Sequence, residues 1–192
     1  MEGLRLLAAA AGAPIRKTGT ALFLLLILPG LGALAVEPED EIKSVAVLNF
    51  LRYSTWPEPV PGTLTVGVLG RRSFLDALRA TLESKPVNGR AVRVTEVKRA
   101  ADVQECQMVY LATERSADIK PVLATAQSVR ALTIGESDRF LDYGGAINLF
   151  LVDGHIGFEA SLETIERTGV TVSSNLLRIG QIRGRARHGG PL

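Results

Sequence analysis

Three chemistry-bearing residue types are scarce in this chain of 192 residues: it has one cysteine, two histidines and one tryptophan, and only 5% of it is aromatic. A single cysteine, Cys106, excludes an intramolecular disulfide and any metal cluster resting on thiolates. It opens "CQMVYLA", a strand-like apolar run in which a free thiol behaves as a small buried hydrophobe, whereas a redox sensor needs exposure and a lowered pKa. His155 and His188 neighbour no nucleophile or ligand cluster in sequence, so both read as surface residues rather than catalysts. Acidic residues are scattered, with no spacing that suggests a general acid–base pair. "GVLGRRS" stands where a phosphate-binding loop would, but lacks the third-glycine spacing of a dinucleotide fingerprint and the lysine of a P-loop. No enzyme class is indicated and no cofactor is expected.

Long apolar runs are also missing, except near the start. Arg16 and Lys17 flank "ALFLLLIL", Pro29-Gly30 follow, and Ala33-Leu34-Ala35 forms a small-x-small cleavage pattern. Residues 1–35 thus read as a signal peptide cleaved after Ala35, with an apolar core too short to span a membrane comfortably. No cysteine stands near the cleavage site to carry a lipid, so the expectation is a soluble protein exported to the periplasm. The leader removes Arg5, Arg16, Lys17 and Glu2, which leaves basic and acidic residues in balance. A balanced exported domain is not expected to bind nucleic acid. Residues 183–192 hold Arg183, Arg185 and Arg187 without an acid and read as a basic flexible tail.

Between these ends, apolar patterning alternates between the two periods. "EDEIKSVAVLNFLRY" is an acidic-started helix, apolar on most sides, with Asn49 expected to be a buried, hydrogen-bonded group. Pro57 ends it near Tyr53 or Ser54. Strands are predicted at "TLTVGVLG", "AVRVTEV", "QMVYLA" and "ALTIGE", and helices at "FLDALRATLES", started by a Ser73/Asp76 capping box, and at "ADIKPVLATAQS". "AADVQE" and "SDRFLDYGG" read as short helical pieces. "AINLFLVDGHIGFEA" is a hairpin turning at Asp153-Gly154, and Ser161 and Gly169 bracket one more helix before "VTVSSNLLRIGQ", a last strand leading into a helix. The expected fold is a single three-layer α/β domain over residues 36–182, a mostly parallel sheet flanked by helices with one antiparallel hairpin near an edge.

Two groups of residues are candidates for contact with another molecule. Phe50, Arg52, Tyr53 and Trp56 gather at the end of the first helix, where aromatic rings and arginine suit either core packing or a partner or ligand interface. In an open α/β sheet ligands lodge beyond the carboxyl ends of the strands, a rim that here includes Gly70, Arg71, Ser73 and Ser137. The rim supports an alternative reading, a periplasmic small-molecule binder.

"AVLNFLRYSTWP", followed in order by "LTVGVLG", "CQMVYLA", "ALTIGES" and "GGAINLFLVDGHIGFEASLETIERTGVTVSSNLLRIG", resembles the YfiR-like periplasmic proteins from about Glu39 to Ile182. The resemblance implies a non-catalytic repressor. It would bind the periplasmic part of an inner-membrane diguanylate cyclase, lower cyclic-di-GMP and restrain biofilm formation, and an outer-membrane lipoprotein would sequester it. Two departures stand out. Members carry disulfides, which Cys106 alone cannot form, and "FEAS" (Phe158–Ser161) stands where Phe-Glu-Ile-Asn is usual. A homodimer is compatible with the chain, whose sequence does not decide its oligomeric state.

Overall fold

The computed structural model describes residues 38–183 apart from Glu58, Val60, Pro61 and Lys85; the expected leader, and the tail beyond Arg183, lie outside the described residues. Helix α1 (Pro38–Arg52) opens the domain with Glu39, Asp40 and Glu41 in its first turn, where the helix dipole favours negative charge. The short strand β1 (Ser54–Thr55) follows, then β2 (Thr63–Gly70), α2 (Arg72–Leu82), β3 (Ala91–Val97) and a 3-10 turn (Ala100–Val103). Strand β4 (Met108–Ala112) leads through α3 (Ser116–Ser128) to β5 (Leu132–Gly135). The chain closes with the hairpin β6 (Ile147–Val152) and β7 (His155–Ser161), α4 (Leu162–Thr168), β8 (Thr171–Val172), α5 (Ser174–Leu177) and β9 (Gln181–Arg183).

Seven strands form one sheet in the order β3-β2-β4-β5-β6-β7-β9, with every neighbouring pair parallel except the β6–β7 hairpin. Strands β1 and β8 pair separately and antiparallel. Alternation along β4 divides the core between the two faces of the sheet. Met108, Tyr110 and Ala112 point into a cluster with α1, α2 and α4, and Val109 and Leu111 into one with α3 and the 3-10 turn. The expected mostly parallel, helix-flanked sheet with one antiparallel hairpin is therefore the observed fold.

Local turn chemistry matches the sequence at its clearest points. Asp153 and Gly154 both have positive φ, 51° and 75°, as a type I′ hairpin requires, and Val152 pairs with His155 across the turn. Ser161 Oγ accepts the Thr164 N–H at 3.3 Å and Gly169 ends α4 in the left-handed region.

Other expectations are corrected. Ser73 caps nothing: Arg71 is the residue before α2, no side chain caps that end, and the Ser73 hydroxyl donates to Asp40 Oδ2 at 2.7 Å. "SDRFLDYGG" forms successive turns rather than a helix, because Phe140 is drawn down onto Gly135 and Gly145. The strand leading into a helix is found, as β8 and α5, but the chain goes further among the described residues. It returns after α5 as β9, parallel to β7, and Arg183, assigned on sequence to the tail, ends that strand in ion pairs with Asp142 (2.5 Å) and Glu159 (3.5 Å).

Candidate functional site

Two features could serve recognition, and helix α1 contributes to both. The first is an apolar groove. Ile42, Val45 and Asn49 recur at three- and four-residue spacing, so they share one face of α1. This face does not meet the sheet squarely; Val45 is 51% exposed and Ile42 39%. It walls a groove of about 280 Å³ whose floor is Leu149, Ile156 and Phe158 of the β6–β7 hairpin. Leu176 of α5 and the neighbouring Ile179, 77% exposed, form the opposite wall. Leu149 and Phe158 lie directly across the ladder, and Phe50 braces Phe158 edge-to-face at 5.1 Å from the α1 side. Large apolar side chains left in a contiguous exposed hollow are candidates for contact with another molecule, whereas single scattered ones are not.

The second is a buried ionic cluster at the carboxyl rim of the sheet. Arg71 follows β2, Glu136 follows β5 and Tyr110 stands on β4 between them, while α1 brings Asp40 and Lys43 down from above. Arg71 donates from Nη1 to Glu136 and from Nη2 to Asp40 Oδ1 at 2.7 Å. Lys43 Nζ donates to Glu136 Oε2 at 2.8 Å and also pairs with Glu39. The Tyr110 hydroxyl donates to the same Glu136 oxygen at 2.9 Å. Asp40, Lys43 and the Glu136 side chain are buried, and the Arg71 side chain is 42% exposed.

The electrostatics follow from this packing. Burial by itself would raise the Glu136 pKa, but the hydrogen bonds from Arg71 and Lys43 outweigh it and hold the carboxyl below its ordinary value. Burial would lower that of Arg71, and its bonds to Glu136 and Asp40 raise it instead. Tyr110 is pushed well up, by burial first and by the Glu136 charge second, so its phenol stays a hydrogen-bond donor. Every group here has an internal partner of opposite sign or role. The cluster binds parts of the protein to one another.

The rim residues expected on sequence thus occupy the rim but are engaged internally. Gly70 has φ +113°, and a Cβ there would collide with the Ala112 carbonyl, whose oxygen accepts the Arg71 N–H at 3.2 Å. The crevice between β2 and β4 is stitched shut. Ser73 is bound to Asp40. Ser137 is the exception: it is buried, its hydroxyl has no hydrogen-bond partner, and it lines a shallow hollow of about 220 Å³ with Glu114, Asp138, Arg139 and Tyr143.

The aromatic group falls at the other end of α1. Trp56 is 8% exposed and its Nε1–H donates to the Gln107 carbonyl at 3.1 Å, at the amino edge of the sheet. Phe50 is in the core and also touches the groove. Arg52 and Tyr53 are exposed, and their backbone carbonyls accept from Asn88 and Ser173. The structure therefore does not bring Arg52, Tyr53 and Trp56 into the groove. Asn49, expected to be buried, is half-buried and lines the groove. Sequence reading missed Ile42, Val45 and Ile179, and its one usable signal was a helix apolar on most sides, more than one packing face needs.

Among the described residues no helix is long and apolar enough to cross a membrane, and no group of three or more His, Cys, Asp or Glu is placed to hold a metal ion.

Comparison with known proteins agrees with this architecture. Two solved structures are similar in fold at 12% identity: a conserved domain protein from Vibrio cholerae O1 biovar El Tor (TM-score 0.53, 74% of this chain) and the ABC domain in complex with L-Trp from Streptococcus pneumoniae (TM-score 0.52, 71% of this chain). The chain spans 59% of the length of each, and at such identity the likeness is one of fold alone. A family model described as YfiR/HmsC-like matches residues 40–181, from the Asp40 that Arg71 grips to the first residue of β9. By that match, over most of its length, the chain belongs to the YfiR/HmsC-like family.

Proposed function

We propose that this protein is a periplasmic regulator, exported by a leader cleaved after Ala35. In this reading it binds the periplasmic part of an inner-membrane diguanylate cyclase, represses it by protein–protein contact, and so lowers cyclic-di-GMP and biofilm formation. The observation that carries the reading is the groove of Ile42, Val45, Leu149, Ile156, Phe158 and Ile179, an apolar surface exposed on an otherwise well-packed domain. Family membership supports the kind of partner, since YfiR-like proteins are regulators of such cyclases. Repression requires that the groove bind the inactive cyclase more tightly than the active one, because equal affinity for both states shifts nothing. An outer-membrane lipoprotein that covers the same groove would release the cyclase by competition.

The decisive experiment measures cellular cyclic-di-GMP in a clean deletion strain, with the intact gene restored as control, and captures the cyclase from solubilised membranes on the purified protein. A rise reversed by complementation, with capture lost in a Val45→Asp variant, supports the reading. An unchanged nucleotide level under several growth conditions overturns it.

The hollow beside Ser137 favours a second reading, a small-molecule binder at the rim, because Glu114, Asp138, Arg139 and Tyr143 line it with charged and polar groups beyond the carboxyl ends of the strands. A ligand there would raise the midpoint of thermal unfolding with its concentration, as mass action requires. Flat responses across metabolites and nucleotides would dismiss it.

A further inference from the structure

Helix α1 is attached to the domain in two physically different ways. From Ala46 onward its buried residues are apolar: Ala46, Val47, Phe50 and Leu51 rest on the sheet. Before Ala46 its buried residues are Asp40, Lys43 and Ser44, and each is held by polar contact. Asp40 is gripped by Arg71 and Ser73, Lys43 by Glu136, and Ser44 shares a 2.8 Å hydrogen bond with Thr81. The groove residues Ile42 and Val45 lie in this polar-held half. Apolar contacts tolerate small shifts, but a buried charge that loses its partner is strongly unfavourable where it lies. The N-terminal half of α1 therefore has one well-defined seat, and leaving it means rehydrating the charges.

We propose that Arg71 is a positioning residue for the groove. By joining Asp40 of α1 to Glu136 of the rim, it latches the N-terminal half of α1, and with it Ile42 and Val45, in the geometry that makes the groove. Glu39, Lys43, Ser73 and Tyr110 complete the polar surroundings of the two carboxylates. Arg71 is partly open to solvent, so the latch can release while the apolar half of the helix stays seated. The consequence for partner binding rests on the groove reading above; the latch itself does not.

Amide hydrogen exchange on the purified chain tests this. In Arg71→Met, the first hydrogen-bonded amides of α1, Ile42 to Ala46, should exchange about tenfold faster or more, while Leu48 to Arg52 and strands β2, β4 and β5 keep their protection. Arg71→Lys keeps the charge without the fork that spans two carboxylates, and should fall between. Asp40→Asn serves as a second variant should Arg71→Met fail to fold, with the same local pattern expected. Uniform acceleration along α1 and the sheet would show a general structural role and overturn the proposal, as would no change at all. Val45→Asp tests the groove separately. It should abolish cyclase capture with α1 exchange unchanged, so a failed groove and a failed latch give different results.

Discussion

Arg71 and Glu136 join the ends of two strands that are not neighbours, with β4 between them, and the same guanidinium reaches Asp40 on the helix above. A bond of this kind draws its importance from what its loss would strand. Removing the Glu136 carboxylate leaves buried Lys43 without its rim partner and Tyr110 without an acceptor. Glu136→Ala should therefore cost about 3–5 kcal/mol in urea unfolding. The Lys43→Met/Glu136→Met pair should cost less than the sum of its single variants. Additive losses would mean that the two residues do not interact.

Acid should weaken the same cluster. Glu136 titrates below its unfolded value, so its contribution is complete above the ordinary glutamate pKa of about 4.3 and is lost as pH falls through the lower, folded value. Stability measured by denaturant unfolding should fall below about pH 4 in the wild-type chain and less steeply in Glu136→Gln. Parallel pH profiles for the two proteins would contradict the assignment.

Gly70 is required where it stands. Its φ of +113° lies outside the range of L side chains, and the Ala112 carbonyl occupies the place of a Cβ. Gly70→Ala should lower stability by at least about 2 kcal/mol. Gly62→Ala, with nothing among the described residues near the added methyl, should stay within about 0.5 kcal/mol of wild type. Equal effects at the two sites would refute the steric account.

Groove and tryptophan should separate in experiment. Val45 is half exposed, so Val45→Asp should leave the cooperative unfolding within about 1 kcal/mol of wild type while cyclase capture is lost. Trp56 is packed and hydrogen-bonded, so Trp56→Ala should destabilise by about 3–5 kcal/mol. Loss of capture in Trp56→Ala with a fully stable fold would place the tryptophan in the interface instead.

Cys106 should be inert in the folded protein. It is buried against Gly67, and burial, with help from Glu105, pushes its pKa up to about 11. At pH 8 a thiol reagent should modify it only as fast as the protein opens, and fully once denaturant unfolds the chain. Rapid stoichiometric labelling of the native protein would show an accessible thiol.

How much of this was legible beforehand depends on the range of the interaction. Alternating runs specify strands because one face is buried, and Asp153-Gly154 and Gly169 specify turns because few residues accept positive φ; those features act over a few residues and were read correctly. Strand β9 escaped notice because three exposed residues carry no periodic pattern, and Gln181–Arg183 become a strand only when β7 offers an edge. Ser73 looked like a helix cap because its spacing to Asp76 is right, but Asp40, distant in sequence, took its hydroxyl.

The sequence by itself determined most of the helix and strand elements, the hairpin and the parallel, three-layer plan, since these follow from local periodicity and turn chemistry. Tertiary structure alone decided the ionic cluster and the groove. Asp40, Lys43, Arg71, Tyr110 and Glu136 meet only when α1 lies across the ends of β2, β4 and β5. Ile42 and Val45 become a surface only because α1 turns Ala46, Val47, Phe50 and Leu51 toward the core and leaves those two beside the hairpin residues Leu149, Ile156 and Phe158. Charge pairing and burial depend on distance in space, and that distance is set by the packed chain.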